Sequence, residues 1–355
     1  MKTAPPVAAP PIAEQDLRYV LERTEPLWQR LRGRRLFLSG GTGFFGCWLL
    51  ESLLAANREM NLDAAAVVLT RSPENFRARC PHLAADPAIE LVAGDVRDFA
   101  FPSGGFAYVI HAATDTVAHD ELALFSTIVE GTKRCLELAR SGGAAGFLFT
   151  SSGAVYGRQP AALSHLPEDY AGAPELLQPG TAYAEGKRAA ETLCGLYAAS
   201  GALECKVARC FAFTGAHLPL DAHFAIGNFL RDAMRGGPIL VSGDGTPMRS
   251  YLYAADLAVW LWTLLLRAPS GRAYNVGSDH AVSIHALARE VAQALDPAIE
   301  VRVARAPVAG APLSQYVPSI ERVRRELGLE VGIGLREAIR RTAAWHGFPL
   351  PEVDP

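Results

Sequence analysis

The chain has 355 residues, half of them hydrophobic and a fifth charged, with 34 basic against 37 acidic side chains and a formal net charge of −3. That length suits one large or two fused units, and the even charge, without a run of one sign, excludes the footprint of a nucleic-acid or anionic-membrane binder. Its six cysteines (Cys47, Cys80, Cys135, Cys194, Cys205, Cys210) lack CxxC spacing, which predicts buried thiols in a reducing cytoplasm, not a disulfide framework.

Residues 1–15 are rich in Pro and Ala and are expected to be a disordered leader. Prolines stand where a signal peptide needs its apolar core, and no window reaches about 18 uninterrupted apolar residues, so no membrane association is expected. Leu17, Val20, Leu21, Leu27 and Leu31 then recur at helical spacing, predicting an N-terminal helix within 16–33. From Arg34 short apolar runs alternate with amphipathic ones. The order is RRLFLS, a helix over 44–56, AAAVVLT, IELVAG, FAYVIHAA, a helix over about 122–140, AGFLFTSS, a helix over about 181–200, and CKVARCFAF.

Continuous apolar strands alternating with helices predict an α/β fold: a Rossmann-type, doubly wound parallel sheet covered on both faces. The expected dinucleotide-binding domain spans 34–213. Residues 214–355, looser and rich in Gly and Pro, form mainly a smaller substrate-binding portion, with some segments able to return to the first domain. The stretch YLYAADLAVWLWTLLL (251–266) begins as strand or loop and continues as a buried helix.

Gly40, Gly43 and Gly46 lie in GGTGFFG, after a predicted strand and opening a predicted helix. In that context Gly40 permits the turn, Gly43 lets backbone approach a pyrophosphate, and Gly46 lets the helix lie against the strand. Thr42, Phe44 and Phe45 complete the loop and the helix N-terminus, whose N–H groups and dipole favour phosphate. The next strand ends at Thr70, then Arg71, where NAD sites usually carry an acid for the ribose 2′-OH. Arg71 can pair with a 2′-phosphate, which tilts towards NADP, or can be an ordinary surface arginine; NAD and NADP both stay open. Asp95 and Val96 end the third strand, and Asp95 can accept from an adenine amino group or cap a turn. His111, Ala112 and Ala113 end the fourth strand with small residues where a flat cofactor passes.

Tyr183 and Lys187, four apart in TAYAEGK, share one helical face. An ammonium near a phenol favours the phenolate and prepares it to move a proton. The two serines of TSSGAVYG end the fifth strand. His217 and His223 have no metal-ligand spacing, so no metal is expected. GxSxG is absent, which argues against a hydrolase.

With these motifs in order (GGTGFFG, GDV, HAAT, SSGAVYG, YAEGK, GNFLRDAM, GDGTPMRSYLYAADLA and AYNVGS), the chain resembles the extended short-chain dehydrogenase/reductases acting on nucleotide sugars, over about residues 34–346. These include epimerases, dehydratases, decarboxylases and 4-keto reductases. The resemblance implies that Ser152 hydrogen-bonds the sugar C4 oxygen, that Tyr183 accepts and donates the proton, and that Lys187 holds the cofactor ribose and tunes the tyrosine. It also implies contacts of Asn228 and Arg249 with the nucleotide diphosphate, Tyr253 as a site-lining aromatic, and a homodimer. Where dehydratases resemble TDEVYG, and decarboxylases carry glutamate at the second of those acidic positions, this chain has Gly153 and Ala154, which cannot act as acid or base. Ala212 stands where asparagine is frequent, and Tyr316 lies in a region that more often shows arginine and aspartate. The expectation is therefore epimerisation through a transient 4-keto sugar. An NADPH-dependent 4-keto reductase is the alternative, and a non-catalytic dinucleotide sensor is disfavoured by the intact Ser152, Tyr183 and Lys187.

Overall fold

The computed structural model describes residues 8–114, 120–222 and 224–350; His223 of the sequence reading lies outside them. Seven strands, β1 (Arg35–Ser39), β2 (Ala65–Thr70), β3 (Ile89–Ala93), β4 (Tyr108–His111), β5 (Gly146–Ser152), β6 (Cys205–Cys210) and β7 (Arg272–Val276), form one parallel sheet in the order β7-β6-β5-β4-β1-β2-β3. All seven residues of β5 and four of the five in β1 are buried, as a sheet covered on both faces requires. β1 lies between β2 and β4, with Ser39 opposite Leu69 on one side and His111 on the other. The strand order reverses there, so the carboxyl ends of β1 and β4 form the crevice where such folds take ligands.

The principal helices of this layer are α1 (Glu14–Trp28), α2 (Phe44–Met60), α3 (Glu121–Ser141) and α4 (Ala182–Ala199). The Asp120 carboxylate starts α3 by accepting from the Leu122 and Ala123 amides at 3.0 and 3.1 Å. Its stripe Leu124, Ile128, Cys135, Leu136 and Ala139 enters the core beside Phe147 and Phe149. All six cysteines are buried free thiols. Desolvation pushes the Cys135 and Cys205 thiols up to about 12, so they behave as small apolar side chains.

The amino-terminal stretch departs from expectation. Residues 8–13, part of the anticipated disordered leader, lie along the sheet domain. The Ala9 amide donates to the Arg79 carbonyl at 2.7 Å, and the Ile12 amide donates to the buried Glu51 carboxylate at 2.8 Å. α1 starts at Glu14 and gives way after Trp28 to a tight turn, Gln29–Leu31. Its last residue anchors it: the Trp28 ring meets Trp262 at 5.0 Å, and the Trp262 indole donates to Ser52 Oγ at 2.9 Å.

The chain divides into two compact units. The first comprises the described residues of Met1–Val155, Pro174–Arg209 and Ala258–Tyr274; the second, those of Tyr156–Ala173, Cys210–Leu257 and Asn275–Pro355. In the second unit, Met248–Arg249 pairs antiparallel with Val282–Ser283 and parallel with Gln315–Tyr316, and Ile239–Val241 pairs parallel with Val301–Val303. Asn275 ties this unit together from a fully buried position. Its Oδ1 accepts from the Tyr156 hydroxyl at 2.7 Å, and its Nδ2 donates to the Leu166 and Ser319 carbonyls at 2.8 and 3.0 Å. Among the described residues no helix is long and apolar enough to cross a membrane.

Candidate active site

β1 ends in the glycine loop, and its backbone makes Gly40 and Gly46 obligatory for different reasons. Gly40 has φ +76°, and a Cβ there would sit 2.5 Å from the Ala112 carbonyl carbon and oxygen and 2.6 Å from the Ala113 amide. The HAAT segment after β4 is thus pressed directly onto the loop after β1. A Cβ on Gly46 would fall 2.3 Å from Gly41, which lets α2 lie against the turn. Gly43 is different: a Cβ would meet nothing nearer than the Gly40 carbonyl oxygen at 3.4 Å. Gly43 is also the N-cap of α2 and offers no side chain to its first turn. A cradle open at Gly43, with an uncapped helix N-terminus behind it, fits the pyrophosphate of a dinucleotide. One residue that sequence reading missed belongs here. The Arg79 guanidinium donates to the Thr42 carbonyl and fastens the loop from 37 residues away.

Arginines stand beyond both β2 and β3. Arg71 follows β2 and is exposed. Asp95 is taken up locally: Arg97 grips its carboxylate through Nε at 2.8 Å and Nη2 at 2.9 Å, while the Arg97 amide donates to Oδ1 at 3.0 Å. The Arg97 hydrogen bonds, and further the field of Arg97 and Arg71, hold the Asp95 carboxyl below its usual range. Of the two readings of Asp95, the turn cap is the geometry present. Val96 is buried, so its side chain packs in the core.

His111 is also a tie between elements. Its Nδ1 lies 2.6 Å from Ser39 Oγ, and its Nε2 lies 3.1 Å from Thr132 Oγ1. Thr132 gives its own proton to the Ile128 carbonyl at 2.6 Å, so the imidazole carries hydrogen on Nε2 and accepts from Ser39 on Nδ1. Burial, and then the nearby Lys187 ammonium, push its pKa down to about 3. The expected place of His111 beside the cofactor therefore narrows to its backbone, because both ring nitrogens are spent inside the chain.

Tyr183 and Lys187 project from one face of α4. The Lys187 ammonium is 2% exposed and donates to the Thr150 carbonyl at 2.7 Å and to Thr114 Oγ1 at 2.8 Å. It lies 4.7 Å from the centre of the Phe149 ring and 5.8 Å from that of Tyr183. Ser152 ends β5 two residues beyond Thr150, and its Oγ accepts from the Ala154 amide at 3.1 Å. The turn Gly153–Tyr156 is gripped from α4 by Arg188, which donates to the Val155 carbonyl at 3.0 Å. Ser151 points the other way and donates to Glu191 at 2.5 Å. Glu191, one turn after Lys187, is chelated by Arg209 of β6 with a closest approach of 2.7 Å. This network was not foreseen; it locks the helix bearing Tyr183 to the strand bearing Ser152.

The residues expected on the diphosphate belong to the second unit. Asn228 lies on the helix Ala225–Met234, where its Oδ1 accepts from Arg231 at 2.9 Å. Arg249 is half-buried, donates to the Met248 carbonyl at 2.8 Å, and stands opposite Tyr316 in register. The Tyr316 ring packs on Phe211 at 4.6 Å. Tyr253, expected to line a site, is 1% exposed and belongs to the core, because its strand pairs with Phe213–Thr214 and its ring carries Arg341 at 5.9 Å.

Comparison with known proteins agrees with this geometry. The family model described as the NAD dependent epimerase/dehydratase family matches residues 36–277. UDP-glucuronic acid decarboxylase 3 of Arabidopsis thaliana is 30% identical over 325 residues, covering 90% of this chain and 88% of that protein. Among solved structures, the fold is shared with a UDP-glucose 4-epimerase of Thermotoga maritima with UDP-glucose (TM-score 0.74, 17% identity, 88% and 98% of the two chains). It is shared as well with a dTDP-glucose 4,6-dehydratase of Streptomyces venezuelae with NAD and TYD bound (TM-score 0.73, 24% identity, 88% and 97%). The glycine cradle, the sheet order and the matched length together establish that this chain belongs to the NAD-dependent epimerase/dehydratase family.

Proposed function

We propose that the protein is a nucleotide-sugar 4-epimerase. The observation that carries this reading is the composition of the turn after β5: Ser152, Tyr183 and Lys187 are present, and Gly153 and Ala154 place no carboxylate beside them. In this reading the Tyr183 phenolate takes the proton of the C4 hydroxyl, Ser152 Oγ hydrogen-bonds the same oxygen, and the Lys187 ammonium stabilises the phenolate. A dinucleotide held on the Gly40–Gly46 loop would supply the hydride acceptor and donor that chemistry at C4 needs. Tyr183 gives back the proton once the 4-keto sugar has turned over, so no further acid or base is called for. Asn228 and Arg249 hold the diphosphate; a guanidinium forks onto paired phosphate oxygens.

Similarity to decarboxylases supports chemistry that begins at C4, and the missing carboxylate at 153–154 argues against a decarboxylase's later step. The test is direct. Epimerisation requires interconversion of C4 epimers of a nucleotide sugar without added cofactor, and release of no carbon dioxide from UDP-glucuronic acid. A strict need for stoichiometric NADPH removes the epimerase in favour of the second reading, a 4-keto-sugar reductase. That alternative is favoured by two observations: exposed Arg71 follows β2 where a 2′-phosphate would sit, and the Asp95 carboxylate is occupied by Arg97. Tyr183→Phe removes one hydroxyl and abolishes either reaction; full activity in that variant overturns the assignment. Exposed Leu122 and Phe125 on α3 and Leu196 on α4 support a homodimer, read by sedimentation, and the six buried thiols suit a reducing cytoplasm.

A further inference from the structure

Lys187 owes its orientation to two oxygens from different strands. One is the Thr150 carbonyl of β5, and the other is the hydroxyl of Thr114, just beyond β4 and 73 residues away in sequence. Thr114 donates its own proton to the Ala113 carbonyl at 2.7 Å, so towards the ammonium it acts purely as an acceptor. The Phe149 ring face closes a third side at 4.7 Å. An alanine at position 114 would keep the backbone contour and lose one of these two oxygens.

We infer that Thr114 is a positioning residue for the proposed reaction, holding the Lys187 ammonium in the one orientation from which it acts on the Tyr183 phenol. The inference rests on the reading of Tyr183 as proton acceptor. Its physical content is narrow. An ammonium that keeps both of these acceptors presents a constant field to a ring 5.8 Å away, whereas one that has lost the Thr114 oxygen is held less firmly and stabilises the phenolate less.

Thr114→Val keeps the branched shape and removes the hydroxyl. The expected result is an acid limb of kcat displaced by about one pH unit to the alkaline side, which is roughly a tenfold lower rate on that limb, with KM for the nucleotide sugar unchanged. Thr114→Ser restores the limb. A second readout needs neither cofactor nor turnover: the phenolate absorbance of the free protein is titrated, each variant being subtracted from its Tyr183→Phe counterpart to isolate one phenol. The Tyr183 midpoint rises in Thr114→Val and in Thr114→Ala and returns in Thr114→Ser. An unmoved midpoint in the valine and alanine variants, with thermal stability lowered or not, overturns the role of Thr114. Full activity in Tyr183→Phe overturns instead the reading of the site on which it rests.

Discussion

The glycine loop allows the demands of folding to be separated from those of cofactor binding by two substitutions three residues apart. Gly40→Ala incurs two costs. Its φ of +76° is a region that costs an L-residue about 1–2 kcal/mol. Its new methyl would also lie 2.5–2.6 Å from backbone atoms of Ala112 and Ala113. Those atoms cannot step aside freely, because β4 is registered on β1 at Ser39–His111 and bonded there through the histidine ring. Overpacking against such a wall costs about 1–3 kcal/mol, so the expected loss is ~2–5 kcal/mol, a large share of a stability near 5–15 kcal/mol. Gly43→Ala has φ −90° and its nearest neighbour at 3.4 Å. It loses about 1 kcal/mol as a poorer N-cap and regains 0.4–1 kcal/mol through the unfolded chain, so the fold should be nearly indifferent to it. Its methyl nevertheless occupies the open face of the cradle, and NAD(H) affinity should fall by at least about tenfold, or ~1.4 kcal/mol. Urea denaturation reads the first quantity, and fluorescence titration with NADH reads the second. Equal stability losses in the two variants, or undiminished NADH binding by Gly43→Ala, would refute this division of labour.

Acid should destabilise the first unit through His111. Its pKa of about 3 in the fold lies below the unfolded value, so the unfolded chain binds the extra proton first. Stability is then lost as pH falls from about 6.5 towards 3, at up to roughly 1.4 kcal/mol per unit, and His111→Gln should flatten that slope in urea melts at successive pH values. Arg209→Met leaves Glu191 partly buried and without its chelating partner, at a cost of about 2–3 kcal/mol. Adding Glu191→Leu should return much of that stability, and a double-mutant cycle measures the coupling. Arg71→Glu should move the NADPH-to-NADH ratio of binding affinities at least about tenfold towards NADH; an unchanged ratio makes Arg71 an ordinary surface residue.

The alternation of strands and helices was legible because β1, β2, β4 and β5 are nearly continuous apolar runs, a pattern a sheet covered on both faces imposes on its sequence. The glycine turn and the shared helical face of Tyr183 and Lys187 were legible for a related reason, since both follow from spacing along the chain. What spacing did not reveal was which polar groups are already occupied. Asp95 is claimed by Arg97 two residues on, His111 by Ser39 and Thr132, and Tyr253 by the core. Thr114 stood only as the last letter of HAAT, and nothing in the sequence singled out Arg79. Their partners lie 73 and 37 residues away and meet them only through the register of the sheet and the packing of its helices.

The turn after β5 adds a point that composition alone could not reach. Gly153 and Ala154 were read as a missing acid, and such a gap can arise because a side chain there would disturb the fold. At Ala154 the geometry weighs against that origin. The turn is closed through backbone atoms, by the Ala154 amide on Ser152 Oγ and by Arg188 on the Val155 carbonyl, and Ala154 is only half-buried. None of these contacts depends on the side chain at 154. The residue there is therefore free to follow the chemistry of the sugar and not the packing of the sheet, which is why its lack of a carboxylate carries weight for the reaction.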